Sequence, residues 1–357
     1  MPDYKLQSDF SFAGGIPEAP FKLHESMTKK LDPEYVKFFN STLSSNPNIA
    51  YTHRVPLEKL RKAGNVIPGQ TPLTEMAKTY DIEIPRKHTK AANSIPARVF
   101  VPKGNKPSEG WPLLVWFHGG GWVLGGLDTE NSFCTKVADL CKCVVVSVDY
   151  RLAPQDPFPA CVDDSFEAVL WALELGPTEL EINSTKICVG GSSAGGNLTA
   201  IVTHKYANSE LASKLPPICF QLMVVPVTDN SATAETQPSW GENEYTPQLP
   251  AEKMIWYRTL YLQKGGDEYI NPESSPLFYP NESFVKLPPC FIAAAECDVL
   301  RSEAEAYAKK LKQNGIPTEI VIYPGVPHPV MVMDAILQQG RDLIQNTTDA
   351  LKKAFYN

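Results

Sequence analysis

Short runs of β-branched and apolar residues alternate along this chain with stretches whose apolar positions recur every three or four residues. That alternation predicts a mainly parallel sheet flanked by helices. Eight runs read as strands: Tyr80 to Ile84, Ile95 to Val101, Leu113 to His118, Cys143 to Asp149, Lys186 to Gly190, Gln221 to Pro226, Cys290 to Ala295 and Glu319 to Tyr323. Helices are predicted over Asp163 to Leu175, where Phe166, Val169, Leu170 and Leu173 share one face, and over Ala194 to Tyr206, Ser302 to Gln313 and Val332 to Ala354. Asn314-Gly315 is an expected helix stop.

Two regions break the alternation. Residues 1–79 are rich in proline and polar groups, with a helix predicted near Pro33 to Leu43, and residues 230–271 interrupt the strand series. The expected organisation is a sheet-forming domain at 80–229 completed by 272–357, with 1–79 and 230–271 as additions to it. The insertion carries Trp240, Tyr245, Trp256, Tyr257 and Tyr261, the composition of an aromatic lid over an apolar pocket. The same aromatics would serve equally to pack the insertion onto the body.

Composition narrows the function class. The chain has 357 residues, 43% hydrophobic and 20% charged, which is ordinary for a globular protein. Its formal net charge of −7 argues against nucleic acid, because phosphate binding needs concentrated Lys and Arg. No apolar run approaches the roughly 18 residues of a membrane span, and Met1 to Gly15 has no apolar core of the kind a secretory signal needs. A cytoplasmic protein is expected. The eight cysteines form no C-x-x-C, and Cys143, Cys188, Cys219 and Cys290 sit in strand-like runs, so reduced thiols are expected rather than disulfides or a metal site. The N-x-[ST] matches at Asn183 and Asn197 fall in or beside core segments, where a glycan could not fit.

The chemistry starts at Gly191-Ser192-Ser193-Ala194-Gly195, a G-x-S-x-G between a predicted strand and a predicted helix. That setting is a nucleophile elbow, a tight turn exposing the central serine. Directly after another strand stands His118-Gly119-Gly120-Gly121-Trp122. Without a Cβ in the way, the amides of Gly119, Gly120 and Gly121 can approach a substrate oxygen and stabilise an oxyanion. A dinucleotide loop is the competing reading, but Gly119, Gly121 and Gly125 miss the G-x-G-x-x-G spacing, so no cofactor is expected. His118 is read as a hydrogen-bonding residue that fixes this loop.

A serine hydroxyl is a weak nucleophile at neutral pH, so a base must take its proton and a carboxylate must orient the base. In this arrangement the chain order is serine, acid, histidine. Only His204 and His328 follow Ser193, and His204 lies on the helix just after the elbow, which leaves His328 in the turn after the last strand. Asp229, Glu296 and Asp298 end strands, and Asp298 is preferred as the acid.

The chain resembles the hormone-sensitive-lipase-like family of α/β-hydrolase esterases. The resemblance rests on His118 to Trp122, Asp149-Tyr-Arg-Leu-Ala-Pro154, Pro157-Phe-Pro-Ala160 with Asp163-Asp164, Gly191 to Asn197, Asp298-Val-Leu-Arg301, and Tyr323-Pro-Gly325 with His328, all in family order. It covers residues 80 to 340. It implies a triad of Ser193, Asp298 and His328, an oxyanion held by Gly120, Gly121 and Ala194, no cofactor and no metal. It also implies a small-molecule ester of short to medium acyl length as substrate, taken under a mainly helical cap built from the N-terminal segment 1–79 and the insertion 230–271. Trp122, Trp240 and Tyr245 are the candidate substrate-contacting aromatics. Self-association as a homodimer is left open.

There are departures. Ser192 stands where Asp or Thr commonly precedes the nucleophile, Val299 replaces proline after the acid, and Pro329-Val330 replaces Gly-Phe after the histidine. Lactones, activated amides and N-formyl aryl amides would be served by the same triad. A non-catalytic binding module is the third reading, opposed by the retained His328.

Overall fold

Residues 15–64, 67–91 and 93–356 are described by a computed structural model. Residues 1–14, which carry all but the last position of the segment where no secretory signal is found and begin the 1–79 region, lie outside them. Among the described residues no helix is long and apolar enough to cross a membrane.

Strands β1 (Lys78–Ile84), β2 (Ile95–Val101), β3 (Trp111–Phe117), β4 (Val144–Val148), β5 (Ile182–Ser192), β6 (Phe220–Val224), β7 (Cys290–Cys297) and β8 (Thr318–Pro327) form one sheet in the order β1-β2-β4-β3-β5-β6-β7-β8. From β4 to β8 every neighbour is parallel, while β2 runs antiparallel to both β1 and β4. This is the mainly parallel sheet flanked by helices that the alternation predicts, and its arrangement is the α/β-hydrolase fold that the resemblance implies. A parallel sheet is covered on both faces, so its central strands are continuously apolar. Every residue of β3 is buried. Leu113, Val115 and Phe117 point to one face with the helices Ala160–Glu174 and Ala194–Ala207. Leu114 and Trp116 point to the other, against Phe133 and Val137 of the helix Asn131–Cys141 and Leu343 and Leu351 of the helix Gln338–Tyr356.

Two elements differ from the sequence pattern. The helix Asn131–Cys141 is absent from the predicted set, because the polar run Asp128 to Asn131 hides the short apolar stripe of Phe133, Val137 and Cys141. The last helix begins at Gln338 rather than Val332. Val330–Val332 form a single 3-10 turn, and the next residues are held by distant partners. Asp334 accepts from the Thr71 amide at 3.1 Å and pairs with Lys136 at 2.7 Å, and the Ala335 amide donates to Gly69 at 2.9 Å. Those tertiary bonds occupy the groups that would otherwise start the helix.

Helices at Pro238–Glu242 and Ala251–Tyr261 follow β6 in the 230–271 region. This region meets the N-terminal one directly. Arg54 pairs with Glu252 at 3.0 Å, the Tyr35 hydroxyl donates to Gln248 Oε1 at 2.9 Å, and His24 stacks on Tyr245 with ring centroids 4.1 Å apart.

Candidate active site

The parallel strands end at one edge of the sheet, and the chain leaves that edge with its chemically interesting residues. His118 follows β3, Ser193 follows β5, Asp298 follows β7 and His328 follows β8. Because β4 and β5 lie on opposite sides of β3, the crevice between β3 and β5 is a topological switch point, where open α/β sheets bind ligands.

Ser193 sits at φ 54° and ψ −115°, outside the regions a side chain ordinarily allows. The turn is tight enough that flanking glycines are obligatory: a Cβ on Gly195 would lie 1.9 Å from the Phe117 carbonyl oxygen, and one on Gly191 would lie 2.3 Å from the Gly195 backbone. Trp122, Val225 and Gln248, all near this crevice, also hold positive φ. Strain of this kind persists only where the surroundings enforce it, and it clusters at functional sites.

The structure brings together the three side chains that sequence reasoning singled out. His328 Nε2 lies 2.9 Å from Ser193 Oγ, and His328 Nδ1 lies 2.6 Å from Asp298 Oδ2. Asp298 is buried and its other oxygen accepts from the Leu300 amide at 3.1 Å. Asn243, from the 230–271 region, donates to the Glu296 and Asp298 carbonyls at 3.0 Å each, which pins the turn carrying the acid. The competing acids are engaged elsewhere. Glu296 accepts from the Gly325 amide at 2.7 Å, and Asp229 closes its own turn onto Ser231.

The amides of Gly120, Gly121 and Ala194 donate to no other described residue. Gly119 does not share that freedom. Its amide donates to Glu130 Oε1 at 3.1 Å, so it is removed from the candidate oxyanion donors. His118 is buried, with Nδ1 2.6 Å from the Gly119 carbonyl oxygen and its ring stacked on Tyr150, whose hydroxyl donates back to the His118 carbonyl at 2.7 Å. Burial pulls its pKa down to about 4.

A cavity of about 240 Å³ opens beside Ser193 and His328. Tyr257 roofs it, packed so closely on Gly121 that a Cβ there would lie 2.3 Å from the ring. The three aromatics proposed from sequence as substrate contacts are not among the residues lining it. Trp122 is buried and stacked on Tyr261, with centroids 4.3 Å apart. Trp240 is buried, donates to Glu303 at 3.2 Å and carries Arg258 over its ring at 4.1 Å. Tyr245 is exposed and stacks on His24. All three pack against protein groups, and for Trp240 and Tyr245 this is the alternative that composition could not separate from substrate contact.

One group has no counterpart in the sequence reading. The buried Glu130 accepts from Ser192 Oγ at 2.6 Å and from Trp116 Nε1 at 2.8 Å, besides the Gly119 amide. It ties the glycine loop after β3 to the elbow after β5. Burial raises its pKa, and the hydrogen bonds from Ser192 and Trp116 oppose that rise. The unusual Ser192 therefore has a partner, but the two stand apart in sequence and Glu130 reads as part of a polar loop. Glu130→Ala leaves three buried donors without an acceptor, each worth roughly 1–3 kcal/mol and not fully additive. Urea denaturation should show a loss of about 3 kcal/mol, on the order of those penalties.

His204, the histidine set aside by chain order, is buried between Ser283, Tyr279 and Tyr307, and burial pulls its pKa down to about 3. With His118 it sets a pH dependence. Both imidazoles bind protons in the unfolded chain near the ordinary value of about 6.5 but resist them when folded. Stability is therefore fully present above about pH 6.5 and is lost as pH falls toward the folded values, by about 1.4 kcal/mol per pH unit for each group. Urea midpoints between pH 8 and 4 check this, and His204→Gln should remove its share of the slope.

The fold and this arrangement define a hydrolase-like α/β protein with a serine at its elbow. The chain belongs to the alpha/beta hydrolase fold family, whose model matches residues 114–332. It is 54% identical over 338 residues to an AB hydrolase superfamily protein of Schizosaccharomyces pombe, covering 95% of this chain and 98% of that protein. It is 32% identical over 289 residues to an arylesterase of Saccharolobus solfataricus, covering 81% of this chain and 88% of the arylesterase. Among solved structures, LAE6, an alpha/beta hydrolase enzyme from the metagenome of Lake Arreo, Spain, superposes with a TM-score of 0.80 at 28% identity, covering 92% of this chain and 100% of that one.

Proposed function

We propose that the protein hydrolyses carboxylic esters through an acyl-enzyme on Ser193, as a hormone-sensitive-lipase-like member of its family. The observation that carries this reading is the continuous path from Ser193 Oγ through His328 to Asp298, at 2.9 and 2.6 Å, beside amides that lack an acceptor. The esterase names of relatives support the bond type.

In this mechanism Asp298 holds the His328 proton on Nδ1, leaving Nε2 free to accept the Ser193 hydroxyl proton. Oγ attacks the ester carbonyl carbon, and the carbonyl oxygen, now negative, accepts hydrogen bonds from the Gly120, Gly121 and Ala194 amides. The intermediate collapses as the C–O bond to the alcohol breaks, and His328 gives the alkoxide its proton. Water, deprotonated by His328, then attacks the acyl carbon, and His328 passes the proton to Ser193 Oγ as the bond from Oγ to the acyl carbon breaks. Each oxyanion donor is worth roughly 10²–10³ in kcat. Residues 1–79 and 230–271 act as the cap, and their mutual contacts through Arg54, Glu252, Tyr35 and Gln248 support that role. Glu130 positions the oxyanion loop through its bonds to the Gly119 amide and Ser192 Oγ.

The test is a panel of 4-nitrophenyl acetate and butyrate, a lactone and an acyl anilide. The nitrophenyl esters should be turned over with the highest kcat/KM. A lactone or anilide hydrolysed more efficiently than both would replace the ester assignment.

A further inference from the structure

We infer that the cavity beside Ser193 selects esters bearing a second, negatively charged group, a carboxylate a few bonds from the scissile ester, which Lys253 and Gln248 receive. The inference rests on the ester-hydrolase reading and narrows its substrate class.

Lys253 and Tyr257 stand one turn apart on the helix Ala251–Tyr261, and both line the cavity that contains Ser193 and His328. The Tyr257 ring lies against Gly121, and Lys253 Nζ lies 5.7 Å from the centre of that ring. The ammonium is thus one aromatic ring away from the oxyanion loop. It donates to Thr52 Oγ1 at 2.9 Å and to the Gln248 carbonyl at 2.8 Å, leaving one of its three donors unused.

What this cation lacks is an anion. Lys253 is 8% exposed and pairs with no carboxylate among the described residues. Its neighbour Glu252 turns away to Arg54 at 3.0 Å and His53 at 3.3 Å, and the acid that shares the cavity lining, Glu130, is taken up by Ser192, Trp116 and the Gly119 amide. Burial pulls the Lys253 pKa down to about 7, the expected response of an ammonium withdrawn from water without a counterion. An apolar side chain of similar volume would fill this place with no such penalty.

Gln248 supplies the second, independent observation. Its Oε1 accepts from the Tyr35 hydroxyl at 2.9 Å, while its Nε2 is buried with no partner. The residue lines the same cavity and is held at φ 70°, a strained conformation for glutamine. An orphaned amide donor and an uncompensated cation therefore belong to two residues of one cavity wall. A carboxylate has acceptor sites for both, and its single charge matches the single ammonium. A hydroxyl or carbonyl would satisfy Gln248 and leave Lys253 unpaired. The cavity, of about 240 Å³, has room for a short diacid chain.

The experiment pairs 4-nitrophenyl hemiesters of succinic, glutaric and adipic acids, and acetate esters of 3-hydroxypropanoic and 4-hydroxybutanoic acids, with their neutral methyl-capped counterparts. Calorimetry on the Ser193→Ala protein measures binding, and the unaltered enzyme reports turnover. At least one acid should bind about tenfold more tightly than its neutral partner, and Lys253→Met should bring that ratio to one. Neutral partners bound as tightly in every pair would overturn the inference, as would a preference that survives Lys253→Met. The comparison on the Ser193→Ala protein decides the matter even if Lys253→Met does not fold. Tight binding of acids with no turnover by the unaltered enzyme would keep this site and remove the hydrolase reading. Turnover without acid preference would do the reverse.

Discussion

Replacing Ser193 with alanine lowers kcat on 4-nitrophenyl butyrate by about 10⁶-fold, the loss seen when a serine hydrolase is deprived of its nucleophile. The reason is that the attacking atom disappears while its surroundings stay. His328 and Asp298 keep their 2.6 Å contact, and the Gly120, Gly121 and Ala194 amides keep their places. What remains is the modest acceleration that preorganised donors and binding give to attack by water. The folded state should survive the change, because the substituted alanine would inherit the serine's backbone at φ 54°. Glycine tests that statement from the other side. It removes the nucleophile equally but relaxes the strained turn, worth roughly 1–3 kcal/mol, against about 1 kcal/mol for a more flexible unfolded chain. Ser193→Gly should therefore be inactive yet more stable than Ser193→Ala by about 1 kcal/mol in urea denaturation.

Asp298→Asn has the second largest expected effect, a fall in kcat of about 10⁴-fold with little change in KM. Asp298 is buried, and among the described residues its carboxylate bonds only to His328 and to the Leu300 amide, so asparagine fits the space. What changes is the proton. An asparagine amide turned toward His328 donates to Nδ1 and forces the imidazole proton onto Nε2, where it faces Ser193 Oγ and can accept nothing. The loss should appear in the single-turnover acylation rate. Combining Asp298→Asn with Ser193→Ala should add almost nothing to the loss from Ser193→Ala alone, since the two act as one unit.

How much of this was legible in the chain depends on whether each feature is local. The strands of the sheet, the elbow and the glycine loop are written in short contiguous runs, and the positions of Ser193, Asp298 and His328 follow because each directly trails a strand that sequence alone locates. The fold then only had to be parallel for those strand ends to share an edge. Features made by distant partners were illegible. Glu130 gains its meaning from Ser192, Trp116 and Gly119, which a linear reading cannot gather around one carboxyl. The same bonds take Gly119 out of the set of free amides. The start of the last helix is set by Thr71, Gly69 and Lys136. In the 230–271 region, composition marks aromatics but not the face each one uses. Tyr257 faces the cavity while Trp240 packs on Arg258, and no periodic signal separates them. Lys253 was equally silent, because a lysine in an exposed helix and one against a cavity are the same letter.

The decisive measurement is the site of covalent capture by a fluorophosphonate ester, located by mass spectrometry of the peptides. The phosphorus should be attached to Ser193 alone, with ester turnover falling in proportion to the fraction labelled. An adduct on any other side chain, accompanied by loss of turnover while Ser193 stays unmodified, would contradict the account.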